Sequence, residues 1–134
     1  MLAEKIESLR RCIQRIEDKR PGTIDLLVQD LDLQDILVIN LTRAVQLCVD
    51  IGSHIISTTN EPSPQTMGEV FTTLNKLGAI THNTCEQLKK AIGFRNIAVH
   101  HYEAINWEIV DAICRNSLQD FRRFAQEISQ YASL

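Results

Sequence analysis

The stretch "LQDILVINLTRAVQLCVDIGSHI", Leu33 to Ile55, decides the fold. Leu33, Leu37, Leu41, Ala44, Cys48, Ile51 and Ile55 step by fours and threes, the period of one helix face. Val38, Val45, Val49, Gly52 and Ile56 form a second apolar stripe beside the first, and Ile36, Ile39 and Leu47 add a third patch. A helix apolar on several sides is either central in its domain or covered by a partner. Both can hold at once.

Working outward, the same period recurs. Leu2, Ile6, Leu9, Ile13 and Ile16 predict an amphipathic helix over residues 2–19, closed by "RPGT" at Arg20 to Thr23. A short helical piece is expected near Ile24 to Asp30. "TTNEPSPQ", Thr58 to Gln65, holds two of the three prolines and reads as the one clear loop. Thr66 with Glu69 is a capping-box pattern opening a helix that turns Val70, Phe71, Leu74 and Leu77 inward and stops at Gly78. Thr81 caps the next helix, which carries Cys85, Leu88 and Ile92. Asn106 caps a last one, with Trp107, Val110, Cys114, Phe121, Ala125, Ile128 and Tyr131 toward the core. With no strand pattern and no repeat, the expected class is all-α. The expected architecture is an up-and-down four-helix bundle with one or two additional short helices.

Bulk properties set limits on function. A chain of 134 residues, 44% hydrophobic and 23% charged, is expected to form a single domain over residues 1–134. Cys12, Cys48, Cys85 and Cys114 stand singly on apolar stripes and read as small buried hydrophobes, with no metal knuckle or disulfide framework. The charged N-terminus lacks a signal-peptide core, and no uninterrupted apolar run approaches the roughly 20 residues that span a bilayer. The expected location is the cytoplasm, with no membrane partner. A net charge of −3 argues mildly against a nucleic-acid role unless positive charge is gathered locally.

Such a gathering exists. Between Cys85 and Tyr102, Lys89, Lys90 and Arg95 stand against Glu86 alone, and Arg115, Arg122 and Arg123 are candidates to extend the patch. Within it, "GFRNIAVHHYEAI", Gly93 to Ile105, packs an arginine, an asparagine, two histidines and a tyrosine into eight residues. On a helix, Asn96 and His100 share a face, and Arg95 nearly aligns with Tyr102. Arg95 and His100 lie about 140° apart unless the last turn frays or Gly93 distorts the helix. Arg95 and Asn96 interrupt an apolar stripe, so they are expected to line a polar cleft or an interface, because an unpartnered buried guanidinium is costly. Histidine, with a free pKa of roughly 6.5, gives or takes protons near neutrality. Arginine holds phosphate oxygens while charge builds on them. In RNA the 2′-hydroxyl is a built-in nucleophile, so this kit suits metal-free phosphodiester cleavage. The chain carries no H-E-x-x-H and no P-loop, and no cofactor or metal is called for.

The segment "RNIAVHHY", Arg95 to Tyr102, resembles the R-x4-H-x-Y signature of HEPN-domain ribonuclease toxins. Within them it is similar to the HepT branch, which is partnered by a minimal nucleotidyltransferase (MNT) antitoxin. The order of the long helix, the motif and the acidic-aromatic helix start extends the likeness over essentially the whole chain. The resemblance implies a HEPN-like bundle with Arg95 and His100 catalytic and Asn96 supporting them. RNA would be cleaved without metal at a cleft between two copies of a homodimer. It also implies that Tyr102 is either the position the antitoxin modifies with AMP or a residue that positions RNA. Lys89, Lys90 and His101 are candidates to bind RNA. His101 fills a position where an acid or amide is equally familiar, and the family defines no role for it.

Plainer readings stand beside these. Arg95 could pair with Glu103, His100 could cap a helix C-terminus, and Tyr102 could simply pack on Trp107. Lys89 and Lys90 could be a wet face, and His54 and His82 read as structural or solvated. At the level of function, the alternatives are a non-catalytic HEPN-like module that binds a nucleotide or assists a nucleotidyltransferase, and a helical scaffold.

Overall fold

The computed structural model describes residues 1–134 as seven helices and one short 3-10 turn, with no strand. The first helix, α1 (Leu2–Lys19), buries Ile6, Leu9, Cys12, Ile13 and Ile16. It ends at Arg20, whose extended backbone leads into Pro21. Two hydrogen bonds fasten this turn: Arg20 Nη1 donates to the Cys114 carbonyl (3.0 Å), and Arg115 Nη2 donates to the Pro21 carbonyl (2.9 Å). The short α2 (Ile24–Gln29) follows, and Asp30 then caps α3 (Leu31–Ser57) by accepting from the Leu33 N–H at 3.1 Å.

As its pattern requires, α3 is the central helix. Its first stripe is buried from Leu37 onward, with Leu33 partly covered, and the second stripe is buried throughout. The third patch stays at the surface, with Ile39 48% exposed. At 27 residues and a mean hydropathy of 1.4, α3 is long and apolar enough to cross a bilayer by length and composition alone. Asp35, Arg43 and Asp50 interrupt it, however, and its two deeper stripes are covered by protein.

A capping box opens α4 (Met67–Lys76). Thr66 Oγ1 accepts from the Glu69 N–H (3.1 Å), and the Glu69 carboxylate reaches back to the Gln65 N–H (2.7 Å). Gly78, at φ 79°, takes the left-handed conformation that follows the helix end. α4 crosses α3 at Gly52, where a Cβ would stand 2.5 Å from Val70 Cγ1 and 2.8 Å from Leu74 Cδ1. Next comes α5 (His82–His100). Thr81 caps it, and Glu127 places a carboxylate at its positive end by accepting from the Thr81 N–H and the Thr84 hydroxyl, both at 2.7 Å.

The expected last helix is two helices. α6 (Trp107–Asn116) and α7 (Leu118–Tyr131) meet at Ser117, where the backbone (φ −112°, ψ −2°) leaves helical geometry. Both helices touch α3, but α6 also packs on α2 while α7 packs on α1 and α5, so one straight rod cannot serve both. One residue expected to face the core does not: Tyr131 is 44% exposed, while Trp107 is partly buried and packed against the core. α1 and α5 each lie against both α3 and α7, which closes the bundle, and α4 bridges α3 and α5. All four cysteines are buried and free. Burial drives the Cys48 thiol well up in pKa and the Cys114 thiol to about 12, so neither is a nucleophile near neutral pH.

Candidate active site

α5 runs unbroken through Gly93, whose φ is not positive, to His100. The helix neither frays nor distorts, so Arg95 and His100 keep their angle of about 140° and point to different sides. Arg95 is half-buried. Its Nη1 donates to Asn96 Oδ1 at 3.3 Å, and it makes no ion pair with Glu103 or any other carboxylate. His100 is exposed, and its imidazole makes no ion pair or hydrogen bond within the chain. One protomer therefore presents one imidazole and one guanidinium on an open surface, not in a closed cleft.

The helix stops at His101 (φ −141°, ψ 54°), whose N–H bonds to the Ile97 carbonyl at 2.8 Å. Tyr102 falls in the 3-10 turn Tyr102–Ala104, so helical alignment with Arg95 does not place it. Two tertiary contacts do. Its hydroxyl donates to Asp35 Oδ1 on α3 at 2.7 Å, and its ring meets Trp107 edge-on at 6.2 Å between centroids. Partial burial, then the bond to the Asp35 carboxylate and its charge, push the phenol up to about 12. Asp35 is the site residue that sequence reading missed. It lies 67 residues from Tyr102, on a helix read only for its apolar stripes.

The remaining candidates divide. Lys89 pairs with Glu86 at 3.8 Å. Lys90 lines an apolar pocket of about 400 Å3 together with Phe94, Ile97, Ile109 and Phe121; Arg95 and His100 take no part in its wall. His101, His54 and His82 are exposed. The expected extension of the positive patch fails. Arg115 is held by Asp111 (3.0 Å), Arg122 by Glu17 (2.6 Å) and Arg123 by Asp120 (3.7 Å), so each guanidinium is neutralised locally. The chain does carry one D-x-D, Asp30-Leu31-Asp32, but Asp30 serves as the α3 cap. No three His, Cys, Asp or Glu side chains lie together in an arrangement that could hold a metal ion.

A closed ring of helices whose fifth member ends in R-x4-H-x-Y defines a HEPN-type domain. The family model for the HepT-like ribonucleases matches residues 9–128. The mRNA nuclease HepT of Shewanella oneidensis is 37% identical over 128 residues, covering 96% of each chain. The tRNA nuclease HepT of Aphanizomenon flos-aquae is 24% identical over 131 residues, covering 98% of this chain and 89% of that one. A solved structure of the tri-AMPylated S. oneidensis HEPN toxin in complex with MNT antitoxin superposes with a TM-score of 0.90 at 36% identity, covering 96% of both chains. The chain belongs to the HepT-like ribonuclease family.

Proposed function

We propose that this protein is a metal-independent endoribonuclease toxin, held in check by a cognate MNT nucleotidyltransferase antitoxin and acting in the cytoplasm. The observation that carries the reading is the unpaired, exposed His100 imidazole about one and a half helical turns beyond an Arg95 that has no carboxylate partner. A guanidinium left free of carboxylates is available to a phosphate, and a solvated imidazole is available to a proton.

Acid–base cleavage of RNA uses two proton-transfer groups, and one chain supplies one motif imidazole. Two copies in a homodimer supply both. One His100 takes the 2′-hydroxyl proton as that oxygen bonds to phosphorus. The bond from phosphorus to the 5′-oxygen breaks, and that oxygen takes a proton from the second copy's His100. The products are a cyclic phosphate and a free 5′-hydroxyl, with no water or metal consumed. Arg95 from each copy neutralises the charge that builds on the phosphoryl oxygens, and Asn96 holds the Arg95 guanidinium from one side. Tyr102 is the proposed site of regulation. AMP on its oxygen would break the bond to Asp35 and set negative charge two residues from the His100 imidazole, repelling substrate as a phosphoryl group would.

Expressed without a partner, the wild-type protein is expected to arrest growth, and the purified protein to cut RNA in the presence of a chelator. Arg95→Ala and His100→Ala should each abolish both effects while leaving the circular dichroism spectrum unchanged. Folded variants that remain as toxic as wild type would refute the assignment of the site.

A further inference from the structure

The chain has nine arginines, and their partners sort them. Arg10, Arg115, Arg122 and Arg123 each face a carboxylate within 3.8 Å, and Arg20 is taken up by the Cys114 carbonyl. Arg11, Arg15, Arg43 and Arg95 have no carboxylate partner. Arg95 belongs to the site already described. The other three line a single groove of about 640 Å3 between α1 and α3.

Ser8, Arg11 and Arg15 form the α1 wall of this groove; Ile39, Arg43 and Asp50 stand on the α3 side. Arg11 donates only to Ser8 Oγ, at 3.2 Å, and Arg15 and Arg43 make no hydrogen bond or ion pair. Arg43 and Arg11 converge on Cys12 in the floor, where both work against the larger raising effect of burial on its thiol. Asp50 is the one carboxylate in the lining, and it is already held by Gln46 Nε2 at 2.9 Å. The groove therefore gathers three guanidiniums against one carboxylate, a local excess of positive charge on a protein whose net charge is −3.

Its position matters as much as its charge. At about 100° per residue, the α3 residues of the groove run from about 20° (Gln46) to about 140° (Asn40) around the helix from Asp35, with Arg43 near the middle at about 80°. Asp35 holds the Tyr102 hydroxyl, so the motif's tyrosine stands at one edge of the groove's face of the central helix. Arg43 is eight residues beyond Asp35, about 12 Å along the axis.

We propose that the α1–α3 groove is a docking track for the sugar–phosphate backbone of an RNA strand that enters or leaves the Arg95–His100 site. Three guanidiniums grip successive phosphates, and Ile36, Ile39 and Leu47 offer the ribose carbons an apolar edge. The inference rests on the ribonuclease reading and adds a subsite to it. A second copy of the chain is a poorer occupant. A two-fold contact sets a patch against itself, bringing six guanidiniums together against only two carboxylates.

The test uses full-length protein carrying His100→Ala, so that bound RNA is not cut, with a fluorescent oligouridine read by anisotropy across a salt series. Combining Arg11→Gln, Arg15→Gln and Arg43→Gln should weaken binding by about tenfold or more at low salt and make the log–log salt dependence shallower by about 2. The corresponding lysine triple variant should keep most of the binding. With His100 restored, the glutamine variant should cut long RNA slowly but cut a uridine dinucleotide, too short to reach the groove, at the wild-type rate. That second result also reports an intact fold. Should the triple variant misfold, Arg15→Gln and Arg43→Gln alone should each lower the slope by about 0.7. Unchanged affinity and slope in folded variants would overturn the track while wild-type cleavage leaves the ribonuclease reading standing. A changed sedimentation state with unchanged RNA affinity would overturn it in favour of an interface between copies. Wild-type protein that neither binds nor cuts RNA would remove the ribonuclease reading and the track together.

Discussion

Tyr102 shows how a side chain acquires its chemistry from a residue that is remote in sequence. Its hydroxyl is fixed by Asp35 and its ring by Trp107, and burial together with the Asp35 carboxylate favours the neutral phenol. A group whose folded pKa is raised from 10.0 to about 12 stabilises the fold fully below about pH 10 and loses that contribution as pH climbs toward 12. In a Tyr131→Phe background, Tyr102 is the only tyrosine, and its ultraviolet titration should have a midpoint near 12. Asp35→Asn should move that midpoint down while leaving it above 10, because burial is the larger cause and remains. An unmoved midpoint would show that the Asp35 contact is absent in solution. Arg95, Asn96, His100 and Tyr102 were legible as candidates because they sit together in sequence and break an apolar stripe. Asp35 was not, because nothing local distinguishes a helix-surface aspartate that meets a phenol from one that meets water.

At the scale of the elements, starts and stops were legible where a side chain makes them. Asp30, Thr66, Thr81 and Asn106 each accept a backbone N–H at a helix start, and three of the four could be named from sequence as caps. The break at Ser117 could not. It carries no proline, glycine or capping side chain and exists because α6 and α7 pack on different neighbours. Two glycines inside helices separate local preference from packing. Gly93 has nothing within 4 Å of its would-be Cβ, so Gly93→Ala should raise stability by about 0.5–1 kcal/mol. Gly52→Ala gains a similar propensity term but forces α3 against Val70 and Leu74, an overpacking cost of about 1–3 kcal/mol. It should be neutral to destabilising by about 2 kcal/mol. Urea titrations giving both substitutions the same sign and size would show that the α3–α4 crossing is looser than described.

For the whole molecule, we propose that residues 1–134 unfold as one cooperative unit around α3. Phe71 of α4 and Phe124 of α7 are both fully buried and meet edge-on at 6.0 Å, joining the short bridging helix to the far side of the ring. Replacing either with alanine should cost about 3–5 kcal/mol, and the single transition should shift without splitting. Two resolved transitions would break the single-unit reading. Helix periodicity, caps and the R-x4-H-x-Y spacing are properties of neighbours within a turn or two, so the chain order alone was enough to specify most of the helices, the several apolar faces of α3 and the candidate residues. Charge was different. Asp111 and Asp120, three or four residues before Arg115 and Arg123 on the same helices, pair with them at a spacing the sequence displays, whereas Arg122 meets Glu17 only in the fold, and Arg11, Arg15 and Arg43 drew no notice until α1 and α3 brought them into one groove. That Arg122 is paired while Arg11, Arg15 and Arg43 share one groove depends on distances between helices, and no linear spacing encodes those.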